Sequence, residues 1–225
     1  MDPINSSLFK LHSKARKTLI HYLKEINYDC TTVENFSLEE IDLMINHKQL
    51  NFKVHNSITN ESCYVHYHEN LYSTDGTSFK MGGNSNLKAS TLLDIVRDTY
   101  ESKNIIEKEK DALIIITTDY SEDGIVRELK HLWEDERIFV VILKIEHLQF
   151  NILEHDLVSK HIRLSKKEKE EVCNYYNINT DEQISEISRF DPVAKIILLR
   201  PGEICRIIRY DKISFRNDFY RICVS

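Results

Sequence analysis

The sequence predicts a mixed α/β (α+β) chain built in two parts, divided at residues 1–148 and 149–225, and three observations predict it. Apolar residues recur at helical spacing over residues 8–26. A buried strand, a helix and a second buried strand follow one another within residues 113–143, which implies parallel pairing through a crossover. Beyond residue 148 the pattern changes to one capped helix and two short β-like runs, a small α+β unit.

The elements follow in order. In the first helix Leu8, Leu11, Ala15, Leu19, Tyr22, Leu23 and Ile26 share a face. Ser6 or Ser7 can cap its start, and Asn27 suits the left-handed residue that ends it. Its other face carries Lys10, Lys14, Lys17 and Lys24 with Arg16 nearby, read either as a solvated face or as a phosphate-facing stripe. Ser37 and Glu40 form a capping box for a short helix with Leu38, Ile41, Leu43, Met44 and Ile45 apolar. Residues 50–55 and 63–68 alternate as strands, with residues 56–61 as the turn. Residues 73–90, with Gly76, Gly82, Gly83, Lys80 and Lys88, read as a loop, because the glycines do not lead directly into a Lys that opens a helix. Residues 92–100 read as helix and residues 107–111 as a solvated connection.

Residues 113–116 and 138–143 are apolar on both faces, as strands of a covered sheet are. The helix between them opens at Ser121 and turns Ile125, Leu129, Leu132 and Trp133 inward. Its first turn carries Asp119, Glu122 and Asp123 and lacks glycines, which argues against a nucleotide site. In the last third, Ser165 and Glu168 cap a helix reaching about Tyr176, with Val172, Tyr175 and Tyr176 inward. Residues 181–187 read as one more helical turn, Asp191-Pro192 as a helix start, and Pro201-Gly202 as a turn. Residues 203–209 and 219–224 read as strands, and the ordered last strand is expected to pair with something.

Composition narrows the function. Hydrophobic residues make up 41% of the 225, enough for a sizeable core, and five Gly with three Pro argue against long flexible linkers. The net charge of −6 and the absence of an overall basic bias confine any nucleic-acid role to one patch or to a shared complex. Five scattered cysteines (30, 63, 173, 205 and 223) favour free, mostly buried thiols in a reducing compartment. The polar first residues and the shortness of apolar runs such as residues 112–116 predict a soluble intracellular protein with no membrane contact. His66 and His68 share a strand face while Cys63 faces the other way, so ordinary strand histidines are favoured over zinc, and no metal or cofactor is expected. The helix–strand order of the first 150 residues is similar to a nuclease-like core, but residues 51–55 and 63–66 lack the Asp and Glu-x-Lys that hold Mg²⁺.

A set of short blocks carries a more specific signal. They are Asn151-Ile152, Glu154-His155, Leu157-Val158, Lys160-His161, Leu164, Glu168-Lys169, Tyr176, Gln183, Asp191-Pro192-Val193-Ala194, Gly202, Ile207-Ile208-Arg209 and Tyr220-Arg221. In this order and near-constant spacing they resemble the C-terminal assembly domain of the fifth subunit shared by the eukaryotic nuclear RNA polymerases and of its archaeal counterpart. The resemblance continues more weakly through Thr18, Leu23, Tyr28 and the strand at residues 113–117. Departures are Asn27 for a usual Gly, Ser159 for Pro, Ile184-Ser185 for Leu-Pro, Leu198 for a Gly, and Ile213-Ser214-Phe215 for a Thr-Ala-Gly-like turn.

The resemblance implies a two-domain, non-catalytic polymerase subunit: an N-terminal jaw beside downstream duplex DNA and an assembly domain docked on the largest subunit, in contact with other subunits and not a stand-alone homo-oligomer. Glu154, His155, Val158, His161, Asp191, Val193 and Arg209 are the expected partner-binding residues, and Lys14, Lys17, Lys80 and Lys88 the expected DNA-proximal ones. Capping alone also explains Asp191, and a local hydrogen bond is an equal explanation of Glu154-His155. The jaw loop that approaches DNA in the family corresponds to the acidic run Leu132-Trp-Glu-Asp-Glu. The location implied is the nucleus for a cellular protein, or a cytoplasmic virus factory or virion for a viral one. A nuclease-fold enzyme dependent on Mg²⁺ and a free-standing adaptor are the alternatives.

Overall fold

The computed structural model describes residues 7–72, 86–210 and 215–225. The chain separates into two compact units, Met1–Phe150 and Asn151–Ser225. Each is mixed α/β and each holds its own four-stranded sheet.

The first unit is built on helix α1 (Ser7–Glu25). Phe9, Ala15, Leu19, Ile20, Tyr22 and Leu23 are buried along it, so the apolar periodicity is its packing face. It closes with Asn27 at φ 66, where the Asn27 N–H bonds Lys24 O and the Tyr28 N–H bonds Leu23 O. That pair of bonds is a Schellman closure, and Asn tolerates its left-handed residue better than most side chains do. The short helix α2 (Thr31–Glu34), which no sequence signal marked, precedes α3 (Leu38–Asn46). The Ser37–Glu40 capping box of α3 is present in full. Only Ile41 and Ile45 of its apolar residues are buried, while Leu38 and Leu43 are exposed.

Strands β1 (Phe52–Asn56) and β2 (Glu61–Tyr67) form an antiparallel hairpin. Strand β2 then pairs parallel with β3 (Ala112–Thr117), and β3 pairs parallel with β4 (Phe139–Lys144), giving the order β1-β2-β3-β4. All six residues of β3 are buried, as its apolar run requires. Helix α5 (Glu122–Glu136) connects β3 to β4 and buries Ile125, Leu129 and Leu132. Helix α4 (Ala89–Arg97) continues without a break into a π-helical segment, Asp98–Ser102.

Three expectations are corrected in this unit. Arg16 does not belong to the lysine face: it is 2% exposed, and its guanidinium donates to Leu50 O and Val33 O between the Phe36 and Phe52 rings. The connection at residues 107–111 is not wholly solvated. Asp111 is buried, and its carboxylate accepts from the Ser62 N–H at 2.7 Å and the Glu107 N–H at 3.0 Å. The acidic run 132–136 is the last turn of α5, not a loop, closed by Arg137 at φ 56.

The second unit holds β5 (Lys160–Arg163), α6 (Lys166–Tyr175), β6 (Ser185–Ser188), α7 (Pro192–Ile196), β7 (Ile204–Arg209) and β8 (Asn217–Val224). The sheet order is β5-β7-β8-β6. Leu164, Ile184, Ile204 and Ile222 form a buried cluster against which Val172, Cys173, Ile178 and Tyr220 pack. Both expected caps are formed: Ser165 with Glu168 on α6, and Asp191 ahead of Pro192 on α7. Gly202 takes φ 87 in the turn before β7, a conformation that favours glycine.

Here too the structure departs from expectation. Tyr175 and Tyr176 are 80% and 53% exposed, so of the three expected residues only Val172 packs inward, joined by Cys173. Residues 181–187 are a 3-10 turn, Asp181–Gln183, followed by β6, which the short polar segment concealed. Strand β5 also carries no sequence signal. The last strand, β8, pairs within the unit on both sides, antiparallel with β7 and parallel with β6, so it needs no outside strand.

Candidate docking face and basic stripe

The seven expected docking residues divide into two groups. His161, on β5, lies opposite Ile207 of β7, and Ile207 lies opposite Phe219 of β8. Side chains two apart on a strand share a face, so Cys205, Ile207 and Arg209 point the same way. The Arg209 guanidinium sits 4.6 Å from the Phe219 ring centroid, a cation–π contact, and Phe219 is 43% exposed. His161, Ile207, Phe219 and Arg209 thus make one row-and-corner of a sheet face.

The start of α7 lies within electrostatic reach of that face at Cys205. Burial pushes the Cys205 thiol up to about 11, and the Asp191 carboxylate adds to that rise against the pull of Arg221. Asp191 accepts from the Val193 N–H at 2.9 Å and the Ala194 N–H at 3.2 Å, so locally it serves as the helix cap. Val193 is half-buried beside it, while Ala194 is fully buried.

Glu154, His155 and Val158 form the second group. They lie ahead of β5, on and after a 3-10 turn, Ile152–Glu154, and no strand register places them on the face. Glu154 accepts from Asn151 Nδ2 at 2.9 Å, and His155 Nδ1 accepts from the Leu157 N–H at 3.2 Å. His161 Nδ1 lies 2.7 Å from Ser159 O, which makes Nδ1 the protonated nitrogen. Reading the residues alone misses Phe219 and Ile207 as companions of His161. The signal is present in the period-two alternation ending at Arg209, but choosing the face needs the strand register.

Of the expected DNA-proximal residues, Lys14 and Lys17 are exposed on one side of α1 with Lys10, His21 and Lys24, spaced alternately four and three apart. That spacing makes a straight stripe along a helix. Lys24 is paired with Glu34, whereas among the described residues Lys10, Lys14 and Lys17 have no ion pair. Lys88 is exposed at the start of α4 and is not part of this stripe. Tyr67 of β2 meets His12 of α1, while Tyr64 and His66 of the same strand line a groove with α4, so α1 and α4 cover opposite sheet faces. Lys80 lies outside the described residues. The acidic end of α5 is partly neutralised, since Glu136 accepts from Lys108 Nζ at 2.6 Å.

The cysteines and histidines singled out as metal candidates separate. Cys63 is buried on one face of β2 and His66 is on the other, while His68 follows the strand end. Among the described residues, no group of three or more His, Cys, Asp or Glu is arranged to hold a metal ion. All five cysteines are free thiols, four of them buried. No described helix is long and apolar enough to cross a membrane.

With this geometry in place, the family match falls almost wholly on the second unit. Residues 150–223 match the family described as RNA polymerase Rpb5, C-terminal domain. Over 77 residues the chain is 39% identical to the Archaeoglobus fulgidus protein named DNA-directed RNA polymerase subunit Rpo5, covering 34% of this chain and 100% of that one. It is 38% identical over 77 residues to the Caenorhabditis elegans protein named DNA-directed RNA polymerases I, II, and III subunit RPABC1, covering 34% of this chain and 36% of that one. The Dictyostelium discoideum protein of corresponding name is 29% identical over 132 residues, covering 59% of this chain and 62% of that one. The match therefore spans only about a third of the nematode relative's length. The archaeal relative is matched from end to end over 77 residues, about the length of the second unit. On that full-length match, the chain belongs to the RNA polymerase Rpb5 family.

Proposed function

We propose that this chain is a non-catalytic subunit of a multisubunit DNA-directed RNA polymerase. The observation that carries the proposal is the 39% identity across the whole of the archaeal polymerase subunit. In this reading the second unit is the assembly domain and docks on the largest subunit. Its docking face is the sheet surface holding His161, Arg209 and Phe219, bordered by Asp191 and Val193, with Glu154, His155 and Val158 on the approach. The face suits that role, because it offers an exposed aromatic under a guanidinium together with the half-buried Val193, a mixture that interface centres favour.

The first unit is the jaw, lying beside downstream duplex DNA. The Lys10, Lys14 and Lys17 stripe supplies sequence-independent phosphate contacts there, and Lys88 serves separately from it. The other polymerase subunits are further partners, and the location is nuclear if the host enzyme is cellular.

Affinity purification tests the reading. A tagged full chain is expected to recover the two largest polymerase subunits, and failure to recover them rejects the assignment. Val193→Asp places a carboxylate on the proposed face and is expected to abolish co-purification while hydrogen exchange of β3 and β4 stays unchanged. Retained co-purification means that the docking face lies elsewhere.

A further inference from the structure

A groove of about 350 Å³ in the first unit belongs to neither surface described above. Its floor is Asn51, just ahead of β1, with Tyr64 and His66 on the outer face of β2. Its wall is α4 and the π-helical segment, with Thr91, Asp94, Arg97 and Asp98. It is partly open to solvent. A π turn gives up regular i→i−4 bonding, and such segments recur where a helix is shaped around a site.

The polar groups of the groove are oriented. Asn51 Oδ1 accepts from the Tyr67 N–H at 2.7 Å, which turns the Asn51 amide nitrogen toward His66 Nδ1, 3.4 Å away. An amide N–H₂ can only donate, so His66 Nδ1 is the acceptor and Nε2 carries the ring proton. Burial holds the His66 pKa down to about 4, with His68 and Lys103 pressing in the same direction. The imidazole is therefore a neutral N–H donor at physiological pH.

Charges of both signs line the wall. Asp94 and Arg97 are exposed, and among the described residues neither has an ion pair. Asp98 and Lys103 are joined at 3.3 Å. With His66 neutral, the four charges of the lining cancel. A phosphate chain would face two carboxylates for its two cations. A segment bearing one cation and one anion is matched at both, with Asp94 for the cation and Arg97 for the anion.

We infer that this groove is a docking site for an extended peptide segment of a protein partner that carries a cation and an anion close together. The groove's opening to solvent admits a chain, and its donors at His66 and Tyr64 meet peptide carbonyls. The inference does not rest on polymerase membership, because it uses only the first unit's groove. It also gives the two sheet faces of that unit different partners, phosphate on the α1 side and protein on the α4 side.

The test is a heteronuclear NMR titration of the full chain with three capped pentapeptides, Gly-Lys-Ala-Glu-Gly and its Lys/Lys and Glu/Glu counterparts, and with a short DNA duplex. The Lys/Glu peptide is expected to shift the amide signals of Tyr64, His66, Ile95 and Thr99, with a Kd no weaker than about 1 mM. The like-charged peptides are expected to shift them at least about tenfold less at equal concentration. Asp94→Lys, at an exposed site that leaves the core untouched, is expected to move the preference to the Glu/Glu peptide. No shift by the Lys/Glu peptide, equal shifts by all three peptides, a preference unchanged by Asp94→Lys, or groove shifts caused by the DNA would each overturn the inference.

Discussion

Leu198 and His66 show at single residues how opposing effects are weighed. Leu198 has φ 52 and closes α7: its N–H bonds Lys195 O, and the next N–H bonds Ala194 O. This is the position where the resemblance leads one to expect glycine. The left-handed conformation costs a side chain about 1–2 kcal/mol. Leu198 is also 1% exposed, and deleting a buried leucine side chain costs about 2–5 kcal/mol. Burial wins, so Leu198→Gly is expected to lose about 1–3 kcal/mol in urea unfolding, although it removes the backbone strain. His66 gives a pH signature. Its folded pKa of about 4 lies below the ordinary 6.5, so the unfolded chain takes up the proton first. Stability from this site is complete above about pH 6.5 and is lost as pH falls toward 4, by up to about 3 kcal/mol. Burial shifts His12 in the same direction. His66→Gln is expected to flatten the unfolding free energy between pH 6.5 and pH 4 relative to the parent chain, and an unchanged slope would show that His66 is not the titrating group.

Helix endings are the recurring device at the scale of elements. With five glycines in 225 residues, the chain closes α1, α3, α6 and α7 with Asn27, Lys48, Asn177 and Leu198, all at positive φ. In α3 the Lys48 N–H bonds Ile45 O and the Gln49 N–H bonds Met44 O, the paired bonds of a Schellman closure. Lys48 is exposed, so unlike Leu198 it offers no burial to offset the strain. Lys48→Gly is therefore expected to stabilise the chain by about 0.5–1 kcal/mol, read as a raised urea midpoint at constant m-value. Capping boxes are legible in the sequence because Ser37–Glu40 and Ser165–Glu168 are local pairs whose bonds span three residues. Strands β5 and β6 are not, because four-residue segments such as Ser185–Ser188 have too few positions to show alternation. They are strands because β7 and β8 lie beside them.

At the scale of the whole molecule, surface charge is organised by sheet face. The chain is acidic overall, yet α1 presents Lys10, Lys14 and Lys17 together on one side of the first sheet. If that stripe neutralises phosphates, each contact releases counterions and contributes to the salt dependence of binding. Lys14→Gln with Lys17→Gln is expected to lower the slope of log K against log salt by roughly 2 for any duplex sequence. Fluorescence anisotropy of the chain with a labelled duplex across a salt series measures it. A slope unchanged by the double variant would place the DNA contact elsewhere.

The sequence by itself determined the mixed α/β class, the parallel strand–helix–strand unit, the helix caps and the family, because each rests on local spacing or on blocks in a fixed order. Tertiary structure decided where the side chains of those elements went. Arg16 shares a helix with the lysine stripe but is drawn between two aromatic rings, and Tyr175 is left in solvent because Val172 and Cys173 reach the core first. The last strand finds both partners inside its own sheet. His161, Arg209 and Phe219 become one surface only through the register of three strands that are far apart along the chain. Period and capping are properties of a few neighbouring residues, whereas a face shared by several strands is set by long-range pairing that no short stretch of sequence contains.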